Sequence, residues 1–216
     1  MDLASLLVDA TKIKTLNRAQ ELEELVGSGY LALIHADGNG VGSGAGKNNS
    51  EPAAFFHRNR VFLRCAVRKA VDAHCPEHGQ APLIPLMLGG DDLLLVCRAE
   101  IALPFVVTLC RELDALQSDD HSFRLTLGVG VVIAKHTIPI DRLHEVAEQL
   151  ARSAKRRFRG IKEADDKGRS VVDWAVYSTA WVDDPEEVRR RDWLRGNGTA
   201  EGEPHDDSPG ADGGPE

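Results

Sequence analysis

Two apolar runs, Ala81 to Leu88 and Leu93 to Cys97, are separated only by Gly89-Gly90-Asp91-Asp92. Glycine and aspartate are leading turn residues, so this stretch reads as a β-hairpin that carries two acids at its tip. On both sides of it the apolar period becomes helical. Between Ala53 and Ala73, residues such as Phe62, Cys65, Ala66, Ala70 and Ala73 recur at steps of three and four; Leu103 to Leu116 is a second helix, with Pro104 tolerable in its first turn. A hairpin held between two helices leaves few topologies once the outer strands are added. Tyr30 to Ile34 is a short buried strand ending at His35-Ala36-Asp37, and Phe123 to Ile133 alternates at Leu125, Leu127, Val129 and Val131. The order is βαββαβ, an α+β, ferredoxin-like sheet with its core helices on one face. An extra helix, Leu143 to Phe158, and a last strand, Ser170 to Tyr177, follow it.

The flanks differ in kind. Leu3, Leu6, Leu7, Leu16, Leu22, Leu25 and Val26 stand at helical spacings before Gly27-Ser28-Gly29 stops them, which predicts one or two short helices within residues 1–27. Residues 28–180 then form one domain and 181–194 a short helical extension. From about Arg195 the sequence NGTAEGEPHDDSPGADGGPE has no apolar residue larger than alanine, so a disordered acidic tail is expected over 195–216.

With 42% apolar residues among 216, the chain can bury a real core. It has no apolar run near 18 residues, and MDLASLLVDATKIK lacks the apolar stretch and cleavage site of a signal peptide, so a cytoplasmic location without membrane contact is expected. Cys65, Cys75, Cys97 and Cys110 have no paired spacing and read as reduced thiols. Cys75-Pro-Glu-His78, beside His74, has half the ligand spacing of a zinc site; no second half follows, so a helix end running into a polar loop is the expectation. A net charge of −8 argues against a surface that grips nucleic acid as a whole. The charge is uneven, however: Arg152, Lys155, Arg156, Arg157, Arg159 and Lys162 fall in one short segment, which leaves a local anionic ligand open.

The stretch LIHADGNGVGSGAGKN, Leu33 to Asn48, poses a choice between a phosphate-cradling glycine loop and a strand end that presents a carboxylate. The phosphate loop GxxxxGK[ST] needs glycine where Val41 stands and serine or threonine where Asn48 stands, so the pattern fails. Gly42 to Gly46 reads as a flexible connection to the next helix, with Lys47 left as a loose anion contact at that helix start. Such a linker does not explain Asp37. An unpaired charge at the end of a buried strand is costly unless water, a partner or a metal accommodates it.

In a βαββαβ sheet the first strand neighbours the hairpin, so Asp37 can face Asp91 and Asp92. Three carboxylates at one sheet end repel one another unless hard divalent cations, Mg²⁺ or Mn²⁺, neutralise them. Two such ions about 3.5–4 Å apart are the machinery of nucleotidyl transfer. Gly38, Gly40, Gly89 and Gly90 would let a bulky ligand approach the backbone beside the acids. Taken alone, Gly-Gly-Asp-Asp is merely a good turn; combined with Asp37 and the strand order, it favours the metal reading.

HADGNG (His35 to Gly40), LGGDDL (Leu88 to Leu93), the strand LTLGVGVVIAKHTIPI and the helix AEQLARSAKRRFRG followed by GRSVVDWAVYS together resemble the GGDD-containing palm domain of Cas10/Cmr2, the large subunit of type III CRISPR complexes. The resemblance covers about residues 28–180 and rests on four motifs in order. It implies an RRM-like nucleotide cyclase/polymerase palm, similar to GGDEF diguanylate cyclases, that binds ATP and two divalent metals and makes cyclic oligoadenylates. By that resemblance Asp37 and Asp91 hold metals with Asp92 assisting, Gly38 offers backbone to metal or phosphate, and Lys155 contacts the triphosphate. The position of Lys155 in a basic helical segment agrees in kind; Lys162 and Lys167 are weaker candidates. Family members often read Asp-Gly-Asp where this chain has Asp37-Gly38-Asn39, so one acid is missing, and the Asn39 carbonyl oxygen would have to ligate or bind ribose in its place.

The enzyme so implied is a stand-alone small palm, with neither a nuclease domain nor a second palm, that joins nucleoside triphosphates into cyclic or linear oligonucleotide signals in antiviral defence. A homodimer is expected, because two triphosphates must meet and one small palm supplies one metal site; a cyclic-nucleotide-sensing effector would act downstream. The rival is a degenerate palm that binds a nucleotide or a protein partner without turnover, favoured by Asn39. A diguanylate cyclase fits less well, since Asp92 and Leu93 stand at the fourth and fifth positions of the GGDEF loop.

Overall fold

The computed structural model describes residues 15–17, 19–27, 29–41, 52–117, 124–164, 168–178 and 184–192. Five strands make the main sheet: β2 (Tyr30–Gly38), β4 (Leu83–Leu88), β5 (Leu93–Arg98), β6 (Leu127–Lys135) and β7 (Val171–Tyr177). Their order is β4-β5-β2-β6-β7; all neighbours are antiparallel except β6 and β7. The first four strands have the pairing of a βαββαβ sheet, and β7 is the expected extra strand at its edge. Pro85 lies in β4, an edge strand, where a missing N–H is tolerated, and the register shifts beside it.

Alternation in the strands assigns the helices to faces. Ala32, Ile34 and Ala36 of β2, Leu93, Leu95 and Cys97 of β5, and Leu127, Val129 and Val131 of β6 share one core with α2 (Pro52–His74) and α3 (Ala99–Leu116). These are the two helices of the βαββαβ unit, on one face. Leu31 and Leu33 of β2 and Val132 and Ala134 of β6 point the other way, into a second core with Leu143, Val146, Ala147 and Leu150 of α4 (Ile140–Ala164). Both faces are thus covered, which is why β2 reads as a continuous apolar run. Helix α3 begins at Ala99, so Pro104 stands in the second turn rather than the first; its missing N–H removes one helical hydrogen bond there.

Two glycines in β6 set how closely α4 approaches. A Cβ at Gly130 would lie 2.0 Å from the Ala147 carbonyl oxygen and 2.6 Å from the Ala151 nitrogen. Helix α4 runs antiparallel to β6, since Gly130 meets Ala147 while Gly128 meets Ala151 and Lys155. Its C-terminal turns therefore reach the end of the sheet where β2 finishes.

At the N-terminus the helical expectation holds for α1 (Leu22–Val26). Thr15–Asn17 instead forms a short strand, β1, parallel to β3 (His78–Gln80), so Leu16 is in a strand; pairing with a distant segment overrides a weak local spacing. The Cys75 to His78 stretch is, as expected, a helix end running into a loop, which covers Cys75 to Glu77; His78 then opens β3. Residues 1–14, the link with Lys47, and the expected tail at 195–216 lie outside the described residues. Residues 186–216 form a separate unit; its described part is the body of α5 (Pro185–Asp192), with Glu186 and Glu187 in the first turn and three arginines in the last, as the helix dipole favours. No helix among the described residues is long and apolar enough to cross a membrane.

Candidate active site

Asp37 is the penultimate residue of β2, and Asp91 and Asp92 close the connection from β4 to β5. Strand register brings them together. β2 and β5 pair from Leu31 opposite Arg98 to Ala36 opposite Leu93; one more step sets Asp92 across from Asp37, and the next sets Asp91 across from Gly38. One carboxylate oxygen of each acid lies within 4.8 Å of the others, and all three residues are half-buried. Among the described residues this is the one such convergence of three or more acidic, histidine or cysteine side chains.

The neighbouring glycines have distinct tasks. A Cβ at Gly38 would lie 2.7 Å from Asp91 Oδ2 and 2.6 Å from Val41 Cγ2, so Gly38 makes room for the protein's own Asp91. Gly40, with φ of 71°, adopts a left-handed conformation that favours glycine and turns the chain away from β2. Gly89 closes the hairpin, its N–H donating to the Asp92 carbonyl at 2.8 Å. A Cβ at Gly90 would meet nothing within 4 Å, leaving open space at the tip.

Lys155 reaches this cluster from α4, its ammonium paired with Asp37 Oδ2. Asp37 stands opposite Gly128 in the β2/β6 pairing, and the lysine stem crosses that glycine: a Cβ there would lie 2.5 Å from Lys155 Cγ. Asn39 follows directly on β2, beside these groups. It is only 4% exposed, its backbone N–H donates to the Thr126 carbonyl at 2.8 Å, and its Nδ2 donates to Thr126 Oγ1 at 3.2 Å. The Nδ2 end of the amide thus ties the end of β2 to the start of β6, while Oδ1, the atom expected to ligate or bind ribose, has no hydrogen-bond partner and lies 3.3 Å from where a Cβ at Gly128 would stand. Sequence reasoning missed Thr126, 87 positions away and without a local signal. It also missed the stack of His35 on His144, ring centroids 5.5 Å apart, on the α4 side of β2. Burial, and then the neighbouring His144, lowers the affinity of His35 for a proton. The side chain of Lys162 and all of Lys167 lie outside the described residues.

Crowding the acids perturbs them. Burial and then the Asp37 charge raise the pKa of Asp91, against its own backbone hydrogen bond and Lys155. Burial, the charges of Asp37 and Asp91, and a hydrogen bond with Asp37 push Asp92 up to about 6. An all-oxygen donor set whose members cannot all ionise without a counter-charge suits hard divalent cations, so the residues fit such ions.

The raised pKa predicts a pH signature. Since folding raises it, the folded chain binds the extra proton; stability from this group is full below about 3.8 and is lost as pH rises through about 6. Asp92→Asn in metal-free buffer is expected to raise the melting temperature at pH 7.5 by about 2–4 °C, roughly 1 kcal/mol after allowance for solvent screening, and to change nothing at pH 4. Differential scanning calorimetry at the two pH values checks this.

Comparison with known proteins agrees with this geometry. The family model described as Cas10/Cmr2, second palm domain, matches residues 30–163. A Csm1–Csm4 cassette solved with one ATP is 17% identical with a TM-score of 0.54, covering 67% of this chain and 23% of that chain. Csm1 from T. onnurineus is 18% identical with a TM-score of 0.52, covering 68% and 23%. A cassette solved with cA4 is 17% identical with a TM-score of 0.50, covering 59% and 20%. The chain thus spans about a fifth of the length of the solved chains it matches. No curated protein matches it significantly. With the palm topology in place and more than half of the sequence matched, the chain belongs to the Cas10/Cmr2 second palm domain family.

Proposed function

We propose that this palm is a nucleotidyltransferase that joins nucleoside triphosphates, ATP foremost, into cyclic or linear oligonucleotide signals in CRISPR-like antiviral defence. The observation that carries the reading is the convergence of Asp37, Asp91 and Asp92 at one open sheet end with Lys155 beside them. Asp37 and Asp91, with Asp92 assisting, are the residues that would hold two Mg²⁺ or Mn²⁺ ions. Bound there, such ions activate an attacking hydroxyl and stabilise the charge of the triphosphate and leaving pyrophosphate. The chain's own residues supply position. Lys155 offsets the negative charge at Asp37 and stands ready for a triphosphate oxygen. Gly38 admits the Asp91 carboxylate, and Gly90 leaves the hairpin tip open for the nucleotide. In the reaction, the 3′-oxygen of one nucleotide bonds to the α-phosphorus of another while the bond to the β-phosphate breaks and pyrophosphate leaves. Two triphosphates must meet for this, so a homodimer is expected, with a cyclic-nucleotide-sensing effector downstream.

Support for the nucleotide class comes from the family, whose solved Csm1–Csm4 relatives include complexes with ATP, AMPPNP and cA4. A second reading, a palm that binds a nucleotide or a protein without turnover, is favoured by one observation: Asn39 stands where family members often carry an acid, and its Nδ2 is held by Thr126, leaving one uncharged oxygen in place of a carboxylate.

Purified protein incubated with ATP and GTP, alone and mixed, with Mg²⁺ or Mn²⁺, decides between them. Pyrophosphate and oligonucleotide products by mass spectrometry are expected; metal-dependent nucleotide binding without product in any mixture selects the second reading. Gly128→Ala forces the Lys155 stem aside and is expected to weaken metal-dependent triphosphate binding by roughly 3- to 10-fold, about 0.7–1.4 kcal/mol, in an equilibrium titration.

A further inference from the structure

Helix α2 buries one residue that its core does not explain. Asn59 is 1% exposed, and neither its Oδ1 nor its Nδ2 has a hydrogen-bond partner. Buried amides are nearly always satisfied, and one that is not costs the full desolvation of both groups, so the site calls for a missing partner.

Its place in the fold narrows what that partner is. α2 and α3 pack antiparallel, since Lys69 meets Glu112 and His74 meets Thr108. Ten residues from Lys69 back to Asn59, about 15 Å of helix, lead past the end of α3 at Leu116. That is the end of the sheet where Asn39 bonds Thr126 and the three acids lie. One turn before Asn59 on the same face, Phe55 shares a core with Val41 and Leu125. Val41 in turn crowds Gly38 beside Asp91. Asn59 thus lies behind the acid cluster, on the α2 side of the sheet, opposite to the side from which Lys155 arrives.

We propose that Asn59 reads the base of the nucleotide whose phosphates sit at the acids, and that the base is adenine. This rests on the nucleotide reading above. A carboxamide offers one acceptor and one donor side by side, which matches the N6 amino group and N7 of adenine as a bidentate pair; guanine presents two acceptors, O6 and N7, on that edge. The amide is covered, so the base reaches it by parting the side chains over it, and two hydrogen bonds offset that opening.

Equilibrium titrations of ATP and GTP with Mg²⁺ into the full chain test this, using wild type, Asn59→Leu and Asn59→Asp, with melting temperature as a control. Wild type is expected to prefer ATP. Asn59→Leu removes an unsatisfied amide at similar volume, so it should melt no lower than wild type while ATP binds about 10- to 100-fold more weakly. Asn59→Asp keeps an acceptor for N6–H but sets a second acceptor against N7, so it too should weaken ATP binding and lower the ATP-to-GTP ratio. An ATP-to-GTP ratio unchanged in both variants, or a wild type indifferent to the base, overturns the assignment while leaving the nucleotide reading intact. Absence of any nucleotide binding by wild type overturns both.

Discussion

Asp91→Asn is expected to lower pyrophosphate release from ATP by at least about 100-fold, beyond the 10- to 100-fold cost typical of losing a residue that only orients a metal ligand. The reason is geometric. Asp91 sits against Gly38 and shares its oxygen cluster with Asp37 and Asp92, so asparagine keeps the shape and removes the charge that a divalent ion needs. The fold should survive, and the metal-free protein should melt no lower, because the raised pKa of Asp91 reports that its charge is unfavourable there. A steady-state pyrophosphate assay together with a melting curve separates lost chemistry from lost structure. Activity within tenfold of wild type would remove Asp91 from the site.

Gly130→Ala should have the largest effect on stability. The added Cβ would meet backbone atoms of α4, the Ala147 carbonyl oxygen at 2.0 Å and the Ala151 nitrogen at 2.6 Å, and backbone cannot rotate out of the way as a side chain can. Relief requires lifting the helix from the sheet, opening the core around Val132, Leu143 and Leu150. A loss of about 3 kcal/mol or more is expected, seen as a melting temperature roughly 6–12 °C lower. Because α4 also carries Lys155, triphosphate binding should weaken in whatever fraction remains folded.

Much of this arrangement was legible in the sequence because it rests on local signals. The run-turn-run around Gly89 to Asp92 specified a hairpin, and the change of period on either side specified helices, so the pairing of β2 with β5 and the meeting of Asp37 with Asp91 and Asp92 followed from topology. The parts that were not legible depend on distant partners. Thr15–Asn17 becomes a strand only by pairing with His78–Gln80. Asn39 is taken up by Thr126, and no spacing within either segment announces that bond. Gly128 and Gly130 did carry a signal, since isolated glycines in a strand pattern mark close backbone approach, but not which helix approaches. The solitary asparagine in the apolar face of α2 was a similar irregularity, and its meaning emerged only once burial left both ends of its amide without a partner.

The three carboxylates are expected to form a divalent-metal site serving a nucleotide. Its most direct test is Mn²⁺ binding followed by electron paramagnetic resonance, with and without a non-hydrolysable ATP analogue, in wild type and in a variant with Asp37, Asp91 and Asp92 all changed to asparagine. Saturable binding is expected that reaches two ions per chain with the analogue, weakens as pH falls below about 6 because protons compete for Asp92, and vanishes in the variant. Equal Mn²⁺ binding by both proteins, or none by wild type with the analogue present, would contradict it.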